Sequence, residues 1–277
     1  MQTAGVPHVD IQPTQGLFPL GLRDVWGYRE LLYFLAWRDI KVRYKQTAIG
    51  AAWAVLQPLI AMAIFTVVFG HFARIPSDGL PYPPFALAAL LPWNFFAQAL
   101  GRGAASLVAN AHLLTKVYFP RLLLPLAAAM LPALDFLVSL SALAALMLWY
   151  GVAPSWRLLL LPVFILLAFL AAMAVSLLLA PINVRYRDVG HAVPFLIQIW
   201  LFASPVVYPS SLVPEPWRLL YSLNPLVGVI DGFRWALFGT ACPDPAAMAV
   251  SGAAVAWLSL GGLLWFRRSN ATFADVV

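Results

Sequence analysis

Residues able to do chemistry are few and scattered, and their pattern argues against catalysis within this chain. Glu30 and Glu215 are the only glutamates, and the four histidines, His8, His71, His112 and His191, stand far apart with no metal-ligand spacing. No pair of carboxylates is spaced for acid–base work, and no nucleophile elbow appears. A phosphate-binding loop closes on a Gly-Lys step, and the sequence contains none. Cys242 is the sole cysteine, which excludes an internal disulfide and a cysteine-rich metal site. The sequence therefore offers no catalytic residue, no metal set and no cofactor site of its own. Any nucleotide hydrolysis must reside in another chain.

Two features remain that bear on function. Asp135 falls inside a long apolar run, where a carboxylate costs about 2.5 to 3.5 kcal/mol on insertion scales. It reads either as a group lining a path or taking a proton, or as a partner in helix packing, and no partner is visible in the sequence. The stretch Tyr28 to Gln46 has a split character. Leu31, Leu32, Phe34, Leu35 and Trp37 make its first half apolar most of the way round a helix, while Arg38, Lys41, Arg43 and Lys45 concentrate in the second. Such a segment lies at a membrane interface with cations among headgroups, or it is an ordinary basic flank of a span.

The elements that hold these residues follow from composition. Of 277 residues, 62% are hydrophobic and only 10% charged, with a mean hydropathy of +0.84. Soluble domains carry about 25% charged residues, so this chain has too little polar surface to coat a water-soluble globule. The net charge of +6 is read as cytoplasmic loops facing anionic lipid, not as nucleic-acid binding. Residues 1–27 carry Pro7, Pro13, Pro19, Gly5, Gly16 and Gly21 without a basic start and apolar run. They read as an irregular cytoplasmic tail and not as a cleaved signal peptide.

Apolar runs long enough to cross a bilayer, about 20 residues each, are Ala51 to Phe72, Phe85 to Leu107, Leu122 to Tyr150, Leu158 to Ile182, Ala192 to Tyr208 and Ala246 to Phe266. Pro125 and Pro132 predict bends in the third. Orientation follows from the cations. Arg38, Lys41, Arg43, Lys45, Arg102, Lys116, Arg121, Arg185, Arg187, Arg267 and Arg268 fall on one set of loops, and only Arg74, Arg157, Arg218 and Arg234 on the other. The positive-inside rule makes the first set cytoplasmic, which requires an even number of crossings and both termini inside. Between Pro209 and Pro245 the chain is broken by Pro214, Pro216, Pro225, Gly228 and Gly232, with Asp231 and Arg234 interspersed. Short helices dipping into the outer leaflet while packed on protein fit this stretch better than a seventh lipid-exposed span. The fold expected is thus an all-α membrane protein of about six spans, N-in and C-in. An interfacial helix (28–46) precedes the transmembrane domain (47–277), and short re-entrant helices precede the last span.

Motifs in this order resemble one family through nearly the whole chain. They are Arg43-Tyr44-Lys45 with Ile49-Gly50, Trp53 and Gln57-Pro58; Leu91-Pro92-Trp93-Asn94-Phe95-Phe96; Ala109-Asn110 and Lys116-Val117-Tyr118-Phe119-Pro120-Arg121; Asn183-Val184-Arg185-Tyr186-Arg187-Asp188; Ser204-Pro205-Val206-Val207-Tyr208-Pro209; and Asn224-Pro225-Leu226 with Phe233-Arg234-Trp235. The chain resembles the permease subunit of ABC-2 type polysaccharide and polyol-phosphate exporters, with Ile49 standing where such proteins usually carry Leu.

That resemblance implies an inner-membrane permease that pairs with a second copy of itself and binds two copies of an ABC ATPase subunit, which supply ATP and magnesium. A lipid-linked glycan moves through a channel between the two permeases. It assigns Tyr44, Lys45, Ile49 and Gly50 to a cytoplasmic entrance. Arg38, Asp39, Lys41 and Arg43, with His112, Leu113, Leu114, Thr115 and Lys116, fall to the ATPase interface, and Pro209, Pro214, Pro225, Asp231 and Arg234 to an external gate. Aromatic rings grip sugars weakly and let a polymer slide, so Trp93, Phe95, Phe96, Trp200, Phe202 and Tyr208, with Asp135, are the lining candidates. Core packing or lipid facing is an equal reading for each. A permease for a drug or lipid would show the same spans; a membrane glycosyltransferase would need an acidic site that the inventory lacks.

Overall fold

The computed structural model describes residues 22–45, 50, 52–152, 155–240 and 242–269. Among them every regular element is helical: α1 (Leu22–Gly27), α2 (Arg29–Lys45), α3 (Ala52–Phe65), α4 (Tyr82–Ala109), α5 (Ala111–Lys116), α6 (Leu123–Trp149), α7 (Leu161–Arg185), α8 (Val189–Phe202), α9 (Glu215–Tyr221), α10 (Pro225–Phe238) and α11 (Pro245–Ser269). The short helix α1 corrects the reading of 1–27 as wholly irregular. Val25 packs against the core and Arg29 donates to the Trp26 carbonyl, which gives this turn a partner on each side. Gln46, Ile49 and Ala51 lie outside the described residues.

Among the described residues, four helical stretches are long and apolar enough to cross a membrane: 52–72, 123–149, 156–185 and 245–269. The first changes from α-helix to π-helix at Thr66 and ends at Phe72. The third begins as a 3-10 turn at Trp156 that runs straight into α7. Pro125 sits in the first turn of α6, where its missing donor has no helical partner to lose, and the helix runs on through Pro132.

The remaining two predicted spans differ for physical reasons. Helix α4 has 28 residues, about 42 Å, so length is ample; it is less apolar than those four, with Asn94, Gln98 and Arg102 along it, and is surrounded by protein. Leu87, Phe96, Leu100 and Leu107 are fully enclosed, with α6 and α7 packed on either side. Helix α8 has only 14 residues, about 21 Å against a ~30 Å core. The fifth span therefore does not stay helical to Tyr208: it leaves the helix after Phe202, and 203–209 are irregular. Pro205 has no N–H to continue the ladder, and the freed carbonyls of Pro205 and Val206 are taken by the guanidinium of Arg234. Non-helical backbone survives here because it is wrapped in protein: Ser204, Val206 and Val207 are buried.

Contacts sort the helix ends into two groups. At one end Asn183 at the close of α7 donates to the Ala104 carbonyl near the close of α4, and Arg38 of α2 reaches Asn110. At the other end Tyr82, opening α4, donates to the Val207 carbonyl, and Ser211 donates to Asp78. Helix α10 lies at this second end among the starts of α4, α7 and α11, buried along most of its length. It is a re-entrant helix packed on protein. Gly232 permits that packing, since a Cβ there would sit 2.0 Å from the Phe164 ring.

Candidate functional site

The cytoplasmic group of helix ends encloses a cavity of about 1240 Å³ between α2, α3, α4 and α6. Helix α2 forms one wall. Its first half has two apolar faces: Leu35 and Ala36 pack on the protein, while Tyr33, Phe34 and Trp37 are exposed. Exposed rings followed by exposed cations are the pattern of a helix suited to the headgroup layer.

Polar contacts fix α2 to its neighbours at two points. At its middle, Arg38 donates to the Asn110 side chain at 3.1 Å and pairs with Asp39 at 2.9 Å. Asn110 in turn donates to the Ser106 carbonyl, so the hydrogen bond reaches the last turn of α4. At its end, Arg43 stands 3.0 Å from Asp135, and the Tyr44 hydroxyl donates to the same carboxylate. Burial, and then the bond to Asp135, push the Tyr44 hydroxyl up to about 12, so it stays a donor at physiological pH. Ser139, one turn beyond Asp135, donates across to the Ala54 carbonyl of α3.

Asp135 therefore has partners that no spacing in the sequence suggests, 91 residues away along the chain. It is 5% exposed, ties α6 to α2, and borders a small cleft. The lining candidates Trp93, Phe95 and Phe96 are each at most 4% exposed within this one chain, which favours the core-packing reading. Phe95 packs on Phe136 and Phe169, and Phe96 meets Trp200 edge to face. They pack in the core around α4 of this one chain, and Phe95 also borders two smaller clefts. Trp200 is half-buried and its ring N–H donates to Asn224, while Phe202 is exposed. Tyr208 donates to the Phe202 carbonyl and accepts from Tyr221, which places it in the external turn.

Beyond Asn110, α5 carries His112 to Thr115 and ends at Lys116. Leu113 and Leu114 pack against the core, while His112, Thr115 and Lys116 are exposed together. A six-residue helix anchored by two leucines is a rigid knob between α4 and α6. Lys41 and Lys45 are exposed on α2, and Gly50 holds a positive φ of 50° at the cavity wall. Ile49 lies outside the described residues.

At the external end, Arg234 is 4% exposed, with its three nitrogens on the carbonyls of Phe85, Pro205 and Val206. Its carbon centre lies 3.5 Å from the Phe85 ring centroid. Pro225 opens α10 after Asn224, whose side chain caps the helix at Leu226 and donates to Ala203 and Ser204. Asp231 lines a second cavity, of about 600 Å³, together with Asp78 and Asp244. Pro209 is buried and Pro214 precedes α9. Sequence reasoning places Asn110, Asn183 and Asn224 in motifs but gives them no role; each is a lone amide whose role depends on which carbonyl the fold brings near.

Comparison with known proteins bears on what this geometry serves. Residues 30–238, from α2 to the end of α10, match the ABC-2 type transporter membrane family. The chain is 33% identical over 225 residues to the O-antigen export system permease protein RfbA of Myxococcus xanthus, covering 80% of this chain and 86% of that one. It is 27% identical over 252 residues to the protein of the same name from Klebsiella pneumoniae, covering 90% and 95%. To the polysialic acid transport protein KpsM of Escherichia coli it is 23% identical over 211 residues, 72% of this chain and 78% of that one.

Proposed function

The chain belongs to the ABC-2 type transporter membrane family, and on that premise we propose that it is the permease subunit through which a bacterial ABC exporter moves a lipid-linked, O-antigen-like polysaccharide across the inner membrane. It is a multi-pass inner-membrane protein and a transporter component. The observation that carries the substrate class is the 33% identity to a permease named for O-antigen export, spread over four fifths of the chain. The aligned region includes both ends of a transport path, the cytoplasmic cavity and the Pro-broken external turn.

In this reading the chain binds no nucleotide. A separate ATPase subunit holds ATP and magnesium and docks on α5 and the exposed basic side of α2. Two copies of the permease, each with one ATPase, enclose the polymer between them. A polysaccharide is too long to be enclosed and released in one swing, which favours a continuous channel over an alternating pocket.

The test is reconstitution of the full chain with its cognate ATPase in sealed vesicles carrying a lipid-linked glycan on the ATPase side. ATP-dependent appearance of the glycan on the far face, absent with either subunit alone, is the expected result. ATP-dependent movement of a lipid or drug with no movement of glycan would overturn the substrate class and leave the permease role standing.

A further inference from the structure

Of the three arginines that line the cytoplasmic cavity, two are accounted for by the protein. Arg38 pairs with Asp39 and Asn110, and Arg43 pairs with Asp135. Arg102, half-buried near the inner end of α4, makes no hydrogen bond and no ion pair among the described residues. Asp39 and Asp135 act on Arg102 through space, but each is already paired directly with Arg38 or Arg43, so three guanidinium groups share two carboxylates, an imbalance that an anionic visitor would relieve.

Two carboxamide side chains share the cavity with Arg102. Gln98 lies one helical turn before it on the same face of α4, and Gln57 faces the cavity from α3. Neither amide is hydrogen-bonded among the described residues, and both also border the small cleft that runs inward toward Asp135. A guanidinium fork with two carboxamide groups is the donor set that matches phosphate oxygens. The wall also carries Asp39, Ser106, Asn110 and His112, and beside this polar patch it has an apolar stretch that includes Trp53, Leu124 and Leu131. A free anion has no use for such a wall; an amphiphile with a phosphate at one end and hydrocarbon at the other fills both parts.

Resting on the export reading above, we propose that Arg102, flanked by Gln98 and Gln57, is the seat of the phosphate or pyrophosphate that joins the transported glycan to its lipid carrier. The site recognises the linkage and not the sugar. Arg38 and Arg43 frame it, but their charges are already matched by Asp39 and Asp135.

The experiment uses the full permease–ATPase complex in phosphatidylcholine nanodiscs, with radiolabelled farnesyl phosphate as the probe and farnesol, inorganic pyrophosphate and phosphatidylglycerol as competitors. Expected is saturable binding that farnesol does not displace, weakened about tenfold or more by Arg102→Gln and largely kept by Arg102→Lys. Wild-type binding in the Arg102→Gln variant would overturn the site. So would equal competition by inorganic pyrophosphate, which would make it a free-anion site, or by phosphatidylglycerol, which would make it a resident-headgroup site. A shift of Arg102→Gln to a smaller assembly on size exclusion, with probe affinity per assembled complex unchanged, would reassign Arg102 to pairing with another subunit. Failure of the export reading is separable: wild-type complex that binds the probe through Arg102 yet moves no glycan removes that reading and leaves the site.

Discussion

Arg43 and Asp135 stand 3.0 Å apart and join the last turn of the interfacial helix α2 to the middle of α6. With Tyr44 on the same carboxylate, the cytoplasmic surface helix is tied to a long central helix by two side chains. Removing one partner leaves a buried, uncompensated charge. Asp135→Ala and Arg43→Ala are each expected to lower stability by about 3 kcal/mol or more in detergent unfolding, while the paired change Arg43→Met with Asp135→Leu loses much less. Equal losses in the single and paired variants would mean that the two side chains do not act together.

The Tyr44 hydroxyl supplies a pH signature for the same clamp. Its folded-state value is raised from 10.0 to about 12, so its contribution is whole below pH 10 and is lost as pH rises from about 10 toward 12. The permease should therefore show flat thermal stability between pH 7 and 9.5, then a fall that Tyr44→Phe makes shallower. A Tyr44→Phe curve with the same alkaline slope as wild type would remove this residue from the linkage.

Most of the fold is legible in the sequence because bilayer thickness sets a length that apolar runs must meet, and the runs 51–72, 122–150, 158–182 and 246–266 meet it. The fifth crossing is misread at Phe202 because apolarity says nothing about whether backbone stays helical once Arg234 can satisfy it from 29 residues away. Aromatic content likewise marks Trp93, Phe95 and Phe96 as notable without saying that α4 is central and surrounded. Asp135 is conspicuous as an acid in an apolar run, but Arg43 and Tyr44 become its partners only through the path of α2. Arg102 reads as one more positive-inside cation, and only the pairing of its two neighbours singles it out.

Arg234 holds three carbonyls with three nitrogens in a fixed fork, a geometry a lysine ammonium does not reproduce. Arg234→Lys should leave at least one buried carbonyl unpartnered and lower stability by about 1–3 kcal/mol. It should also loosen the irregular turn 203–209. Faster proteolysis from the external side, with no change in cytoplasmic cleavage, is the check; unchanged cleavage would mean the turn is held elsewhere.

Cys242 provides a topological test without engineering, since it is the only cysteine, is exposed, and lies between α10 and α11 at the external end. A membrane-impermeant maleimide should label it in intact spheroplasts. Protection there, with labelling only after lysis, would place this loop inside and make α10 a true span.

Coupling to the ATPase should pass through α5. His112, Thr115 and Lys116 face outward while Leu113 and Leu114 fasten the helix to the core, so a push on the exposed side is transmitted and not absorbed. Its base is Asn110, already bonded to Arg38, so α5 and the interfacial helix receive the same displacement. Replacing His112 to Thr115 with a Gly-rich segment should keep expression and membrane insertion but abolish glycan export, with ATP hydrolysis falling to that of the ATPase alone. Asn110→Ala keeps the knob and cuts its link to Arg38. It should reduce export severalfold while permease-stimulated hydrolysis persists, since docking survives and only transmission is weakened. Export at the wild-type rate with the Gly-rich segment would move coupling to α2 itself, where Arg38→Ala would then be the variant that uncouples hydrolysis from transport.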